Sequence, residues 1–183
     1  DAGEILGIET ISGTMANPSI KGLFRKIALT EVAPLLHAVP GMTPAAYVDL
    51  IDARFSNPAI VDTVRRVAFD GSSRHTGAVL PAIRAALGAG GAVDGLALSQ
   101  ALWARMCLGV REDGSAVVAN DPVWDSLVAA AKAAQTQPMA WLEQREIYGD
   151  LADAPAFANA FCRWLTLIYQ DGTEAALQAY IRG

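Results

Sequence analysis

Asp94-Gly-Leu-Ala-Leu-Ser-Gln-Ala-Leu-Trp-Ala-Arg-Met-Cys-Leu108 is apolar nearly all round, with Leu96, Ala97, Leu98, Ala101, Leu102, Trp103, Ala104 and Met106 leaving no wide polar face. A helix that is hydrophobic on every side has to be covered on every side. The segment therefore predicts a central helix around which the rest of the chain packs, with Asp94 as its cap. Outward from it, Phe157, Phe161, Trp164, Leu165 and Ile168 form one helical stripe, opposed by Asn159, Arg163, Thr166 and Gln170. That pattern predicts a helix covering the core from one side. A second stripe, Ile20, Phe24, Ile27, Ala28, Val32 and Leu35, runs up to Pro34, which is expected to kink or end it.

Four junctions pair a capping side chain with proline: Asn17-Pro18, Thr43-Pro44, Asn57-Pro58 and Asp121-Pro122. The side chain can accept an orphan amide proton while proline takes the first helical position, so each junction predicts a helix start. No comparable run of alternating β-branched residues occurs, and Val117-Val118 is at most a very short strand. The fold class read from these patterns is all-α, with about eight to ten helices of ordinary length joined by short loops. Gly88-Ala-Gly-Gly-Ala92 reads as a flexible corner and Glu112-Asp-Gly-Ser115 as a surface turn.

At 183 residues the chain fits one domain spanning 1–183 and can bury a core without staples. Hydrophobic residues reach 52% against 18% charged, with mean hydropathy +0.28. Such a balance implies apolar surface that normally faces a partner. Every apolar stretch is broken before the roughly 18 residues that a membrane span needs, so no membrane association is expected. The opening Asp-Ala-Gly-Glu has no initiator Met and no signal-peptide pattern, as expected of a fragment or processed product. A net charge of -5 with scattered Lys and Arg argues against a nucleic-acid partner. Cys107 and Cys162 each sit in an apolar helical pattern, which suits buried thiols and a cytoplasmic location. Two histidines, His37 and His75, and no paired ligand spacing leave a metal site short of ligands.

Chemistry on this chain alone would need a nucleophile with its base, a carboxylate pair or a phosphate-cradling glycine loop, and none can be assembled. His37 reads as a helix-end or loop residue. More is offered by Arg65 to His75. A helix beginning near Pro58 would place Arg66 and Asp70 one turn apart, and Gly71-Ser72-Ser73 could turn Arg74 back to the same face. Guanidinium groups donate in a fixed fork suited to vicinal hydroxyls or a carboxylate, while Asp70 could accept from a hydroxyl or hold an arginine. On spacing alone, an ordinary surface pair with a serine cap explains the same residues.

Glu9-Thr-Ile-Ser-Gly-Thr-Met-Ala-Asn-Pro18, Glu31-Val-Ala-Pro34, Arg54-Phe-Ser-Asn-Pro-Ala-Ile60 with Asp62-Thr63, and Arg66-Val-Ala-Phe-Asp-Gly-Ser-Ser-Arg74 resemble, in order, successive landmarks of the mannitol dehydrogenase family, the long-chain polyol dehydrogenases. The likeness is close from about Gly3 to Leu127, through Asn120-Asp-Pro-Val-Trp124, and generic beyond. The resemblance implies a helical substrate domain related to the C-terminal region of 6-phosphogluconate dehydrogenase. It also implies an N-terminal nicotinamide-binding domain that this chain lacks. The implied reaction is metal-independent hydride transfer between a secondary alcohol and NAD or NADP. Its base is a lysine in a Lys-x-x-x-x-Asn-x-x-His motif that this sequence does not contain, so no catalytic residue is expected in the chain and the chain alone is expected to be inactive.

What carries over is substrate binding. Arg66 matches the family's arginine of that helix, and Arg74 takes the place usually held by lysine, a change that is not neutral. Asp70 and His75 are further candidates, His75 at the mouth. The expected ligand is a sugar alcohol such as mannitol or arabinitol, with a sugar acid (fructuronate or mannonate type) as the alternative, because two arginines would favour a carboxylate. A non-catalytic helical interaction module is the reading from a different class; an apolar patch away from Arg66 and Arg74 would favour it.

Overall fold

A computed structural model describes residues 1–37 and 39–183. The central helix Asp94–Met106 is buried along nearly its whole length, and Leu98, Ala101, Trp103 and Ala104 are fully enclosed. The long helix Pro155–Asp171 lies against it and contributes Phe157, Phe161, Trp164, Leu165 and Ile168, all buried, while Asn159, Arg163 and Gln170 face out. Gly172 then turns the chain into Thr173–Arg182, which packs on both Pro155–Asp171 and Pro18–Ile27. Trp124–Ala134 and the one-turn helix Met139–Leu142 close the far side. Fully buried Trp103, Trp141, Tyr148, Phe157 and Phe161 form the aromatic centre, with the Trp103 and Trp141 rings edge-on at 5.0 Å.

The all-α expectation holds: only isolated bridges, including Val110 with Ala116, are found among the described residues, so the Val117-Val118 segment amounts to a bridged loop. Among the described residues the expected eight to ten ordinary helices become seven of nine residues or more, with shorter helical pieces between them. Two of the proline junctions open helices as expected. Asn17 accepts from the Ser19 and Ile20 amides ahead of Pro18–Ile27, and Thr43 accepts from Ala46 ahead of Pro44–Phe55. The other two do not. Asn57 closes a local turn onto the Ala59 amide, and Asp121 spends its carboxylate on Val123 and on Ser72, a residue distant in sequence. A capping side chain taken up by a tighter or a tertiary bond cannot also start a helix.

Asp94 does not cap the central helix. Its carboxylate instead reaches Arg163 and the Trp164 indole. The cap is Glu31, delivered from the π-type turn Ala28–Val32: Oε1 accepts from the Gly95 amide at 2.6 Å and Oε2 from the Leu96 amide at 2.9 Å. The Tyr180 hydroxyl donates to Oε1 at 2.7 Å, so three donors converge on one buried carboxylate. Gly95 is required by this convergence, because a Cβ there would overlap the Tyr180 hydroxyl and ring and the Ile27 side chain. Gly95→Ala is expected to destabilise by about 2–3 kcal/mol, although alanine is the better helix former by about 1 kcal/mol. Urea unfolding checks this, and an unchanged midpoint would contradict it.

Candidate functional site

The segment that carries the predicted residues is built in short pieces. Thr63 caps Val64–Ala68 by accepting from the Arg66 amide. Phe69 is extended, and Asp70 adopts the left-handed conformation at φ 60°, ψ 47°, which breaks the register before the single turn Gly71–Arg74. Left-handed backbone is tolerated best by Gly, Asn and Asp. The 120–121 dipeptide pins this break from across the sequence. The Asn120 carbonyl accepts from the Asp70 amide at 2.8 Å, and the Asp121 carboxylate accepts from the Ser72 amide at 2.7 Å and its hydroxyl at 2.8 Å. Gly71 lies tight against the Trp103 indole, where a Cβ would come within 2.7 Å of Nε1. The backbone leading to Arg74 and His75 is therefore fixed from two sides.

Between Pro18–Ile27 and Val64–Ala68 lies a cleft of about 510 Å3. One wall is apolar, with Ile20, Phe24, Ile27, Val64 and Val67; the polar end carries Asp1, Arg74 and His75. Ile20, Phe24, Ile27, Ala28 and Val32 of the stripe thus line this cleft as half-buried residues, and Ile20, Ile27 and Val32 also pack against the core. An apolar wall beside a few polar groups is the usual build of a small-molecule site.

The four predicted site residues separate here. Arg74 and His75 come together on the cleft. Arg74 is exposed, and its Nε donates to the Phe69 carbonyl at 2.7 Å, while its two Nη groups make no hydrogen bond among the described residues. His75 is buried, its ring stacked on Trp103 at 4.3 Å and 10°, and burial pushes its pKa down to about 3, so the imidazole is neutral. Arg66 and Asp70 do not line the cleft. The expected Arg66–Asp70 pair is replaced by Arg66–Asp62, since the helix starts at Val64 and not near Pro58, and the Asp70 break removes the shared face. Asp62 engages Arg66 through both Nε and Nη2, which holds its carboxyl below the usual range. Asp70 makes no side-chain bond among the described residues, and its Oδ1 is buried without a partner.

Gln100 carries no signal in the sequence, though it holds His75 from behind. Glu31 and Asn120-Asp121 stand out there as family landmarks, and Asp121 also as a helix cap, but the roles they play in the structure are not legible from either reading. Cys107 is buried and Cys162 half-buried, both unpaired, with thiol pKa values raised by burial. Among the described residues no helix is long and apolar enough to cross a membrane, and no three His, Cys, Asp or Glu side chains converge.

The model of the mannitol dehydrogenase C-terminal domain matches residues 2–169. The chain belongs to this family. The match extends the likeness past Leu127, through most of the helix Pro155–Asp171. Mannitol 2-dehydrogenase of Cereibacter sphaeroides is 38% identical over 177 residues, 97% of this chain and 37% of that protein. A solved structure of Pseudomonas fluorescens mannitol 2-dehydrogenase, a ternary complex with NAD and D-mannitol, is similar at a TM-score of 0.93 and 27% identity, covering 99% of this chain and 37% of that one. D-sorbitol dehydrogenase in substrate-free form is similar at 0.87 and 25% identity over 96% and 36%. This mannitol dehydrogenase C-terminal domain thus spans a little over a third of the length of these relatives.

Proposed function

We propose that residues 1–183 form the substrate-binding domain of an NAD(P)-dependent polyol dehydrogenase that interconverts a sugar alcohol, such as mannitol or arabinitol, with its ketose by hydride transfer. The observation that carries this reading is the polar end of the cleft, where Arg74, His75 and Asp1 stand together at the rim of an apolar wall. With His75 neutral, the side-chain charges there are one guanidinium and one carboxylate. A neutral, hydroxyl-rich ligand suits that balance better than an anion does. The sugar-acid alternative needed two free guanidinium groups, and Arg66 is already paired with Asp62.

A dinucleotide does not fit the residues present, which offer no sheet and no strand followed by a glycine loop among the described elements. The cofactor, NAD by analogy with the Pseudomonas complex, would be held by an N-terminal domain outside residues 1–183. The surface supports such a partner domain. Tyr47, Leu50, Phe55, Val61, Val67 and Phe69 are all exposed and fall within one stretch of chain. Of these, Val67 lines the cleft itself and Phe69 lies between it and Arg74 in sequence, so exposed apolar surface reaches the cleft. That placement favours a docked domain of the same enzyme over a separate interaction module. The part played by this domain is to orient the alcohol through Arg74 and to keep water from one side of it with the Ile20, Phe24 and Ile27 wall. A cytoplasmic location completes the reading.

Arg66, which pairs with Asp62 off the cleft, is kept as a proposed substrate contact on the family resemblance alone. In the full-length enzyme Arg66→Ala is expected to raise KM for the sugar alcohol about tenfold while NAD affinity stays the same. Unchanged kinetics would remove Arg66 from the site.

A further inference from the structure

Behind His75 runs a chain of buried hydrogen bonds with only one possible direction. Trp141 Nε1 donates to the Tyr148 hydroxyl oxygen at 2.5 Å. An indole has a proton to give and no lone pair to offer, so Tyr148 accepts there and gives its own proton to Gln100 Oε1, 3.0 Å away. The Gln100 amide then faces His75 with Nε2, which can only donate, 2.8 Å from Nδ1. Nδ1 accepts, and the one proton of the neutral ring is left on Nε2. Trp141, Tyr148 and Gln100 are each fully buried, so solvent cannot supply an alternative partner, and the ring is clamped flat on Trp103. Polar groups taken so far into a core are costly unless fully paired, and this chain spends them on one outcome, the orientation of His75. On the cleft side, His75 Nε2 lies 3.2 Å from Asp1 Oδ2, and both residues line the cleft.

We propose that His75 Nε2–H and the Asp1 carboxylate form a hydroxyl-reading pair, a donor beside an acceptor, whose polarity is set by the Trp141–Tyr148–Gln100 chain, with Gln100 as the positioning residue. A hydroxyl both takes and gives a proton, so it satisfies both members. A carboxylate only accepts and meets a like charge in Asp1. The pair therefore discriminates between a sugar alcohol and a sugar acid, and it rests on the polyol reading given above.

The test uses the full-length enzyme labelled with 15N-histidine, the His75 signals being those missing from the spectrum of His75→Phe. The expected result is an Nε2–H tautomer. Gln100→Glu, which offers only acceptors, should move the proton to Nδ1 and raise KM for the sugar alcohol about tenfold with NAD affinity unchanged, whereas Gln100→Met should move KM less. An Nδ1–H tautomer in the unmodified enzyme overturns the proposal. So does a tautomer change in Gln100→Glu that leaves KM where it was. Should Gln100→Glu not fold, Asp1→Asn decides: the ratio of kcat/KM for sugar acid over sugar alcohol should rise about tenfold, and an unchanged ratio overturns the pair. Failure of the polyol reading would look different. The Nε2–H tautomer would be present with no NAD-linked turnover of any sugar alcohol, and the hydroxyl-reading role would fall with it.

Discussion

Glu31→Ala is expected to cost about 3–5 kcal/mol of folding stability, the cost of leaving several buried donors without a partner. The Gly95 and Leu96 amides are two of the orphan donors at the start of the central helix, and the Tyr180 hydroxyl is the third donor. With 3% of Glu31 exposed, solvent cannot reach in to replace the carboxylate. Its charge also faces the positive end of a helix, where an anion is favoured. Because the same carboxylate joins the Ala28–Val32 turn, the central helix and the C-terminal helix, its loss loosens three elements together. Glu31→Gln keeps the shape but turns an amide donor toward a backbone donor, and an intermediate loss of about 2 kcal/mol is expected. Chemical denaturation followed by tryptophan fluorescence measures both. A loss below about 1 kcal/mol for the alanine variant would show that the cap is dispensable.

Arg74→Ala in the full-length enzyme is expected to lower kcat/KM for the sugar alcohol by about 100-fold, larger than the effect at Arg66, with NAD affinity unchanged. The difference follows from placement. Arg74 lies on the cleft with only its Nε committed, to the Phe69 carbonyl, whereas Arg66 is already held by Asp62. Arg74→Lys keeps the charge and loses the planar fork, so it separates charge from geometry. Recovery of most of the activity would mean that a point charge suffices. An Arg74→Ala enzyme with ordinary kcat/KM would remove this residue from substrate binding.

The central helix was legible because burial on all sides writes itself into composition, and Asp94–Met106 is found where the apolar run predicts it. The Phe157 to Ile168 stripe was legible for a different reason, the helical period of one apolar face. The caps were not. Glu31 and Asp121 act on backbone far away in sequence, and no local pattern separates such a residue from an ordinary surface acid. The Ile20 stripe shows a further limit: helical periodicity reports an apolar face, but not whether that face meets the core, a cleft or both. At the site, the motif from Arg66 to His75 marked the right segment, but the left-handed Asp70 changed which side chains share a face, separating Arg66 from Arg74 and joining Arg74 to His75. Gln100 lies in the apolar run of the central helix and Tyr148 in a charged segment 48 residues on, and their link to His75 exists only in three dimensions.

The measurement that tests the account most directly is NAD-linked oxidation by the full-length enzyme of sugar alcohols (mannitol and arabinitol) and of a sugar acid of the mannonate type, with residues 1–183 alone as the control. Turnover of a sugar alcohol at a kcat/KM well above that of the acid, and none by residues 1–183 alone, is the expected result. A preference for the acid would contradict the charge balance read from Arg74 and Asp1. No turnover of any of these substrates would contradict the assignment of the cleft to a polyol dehydrogenase.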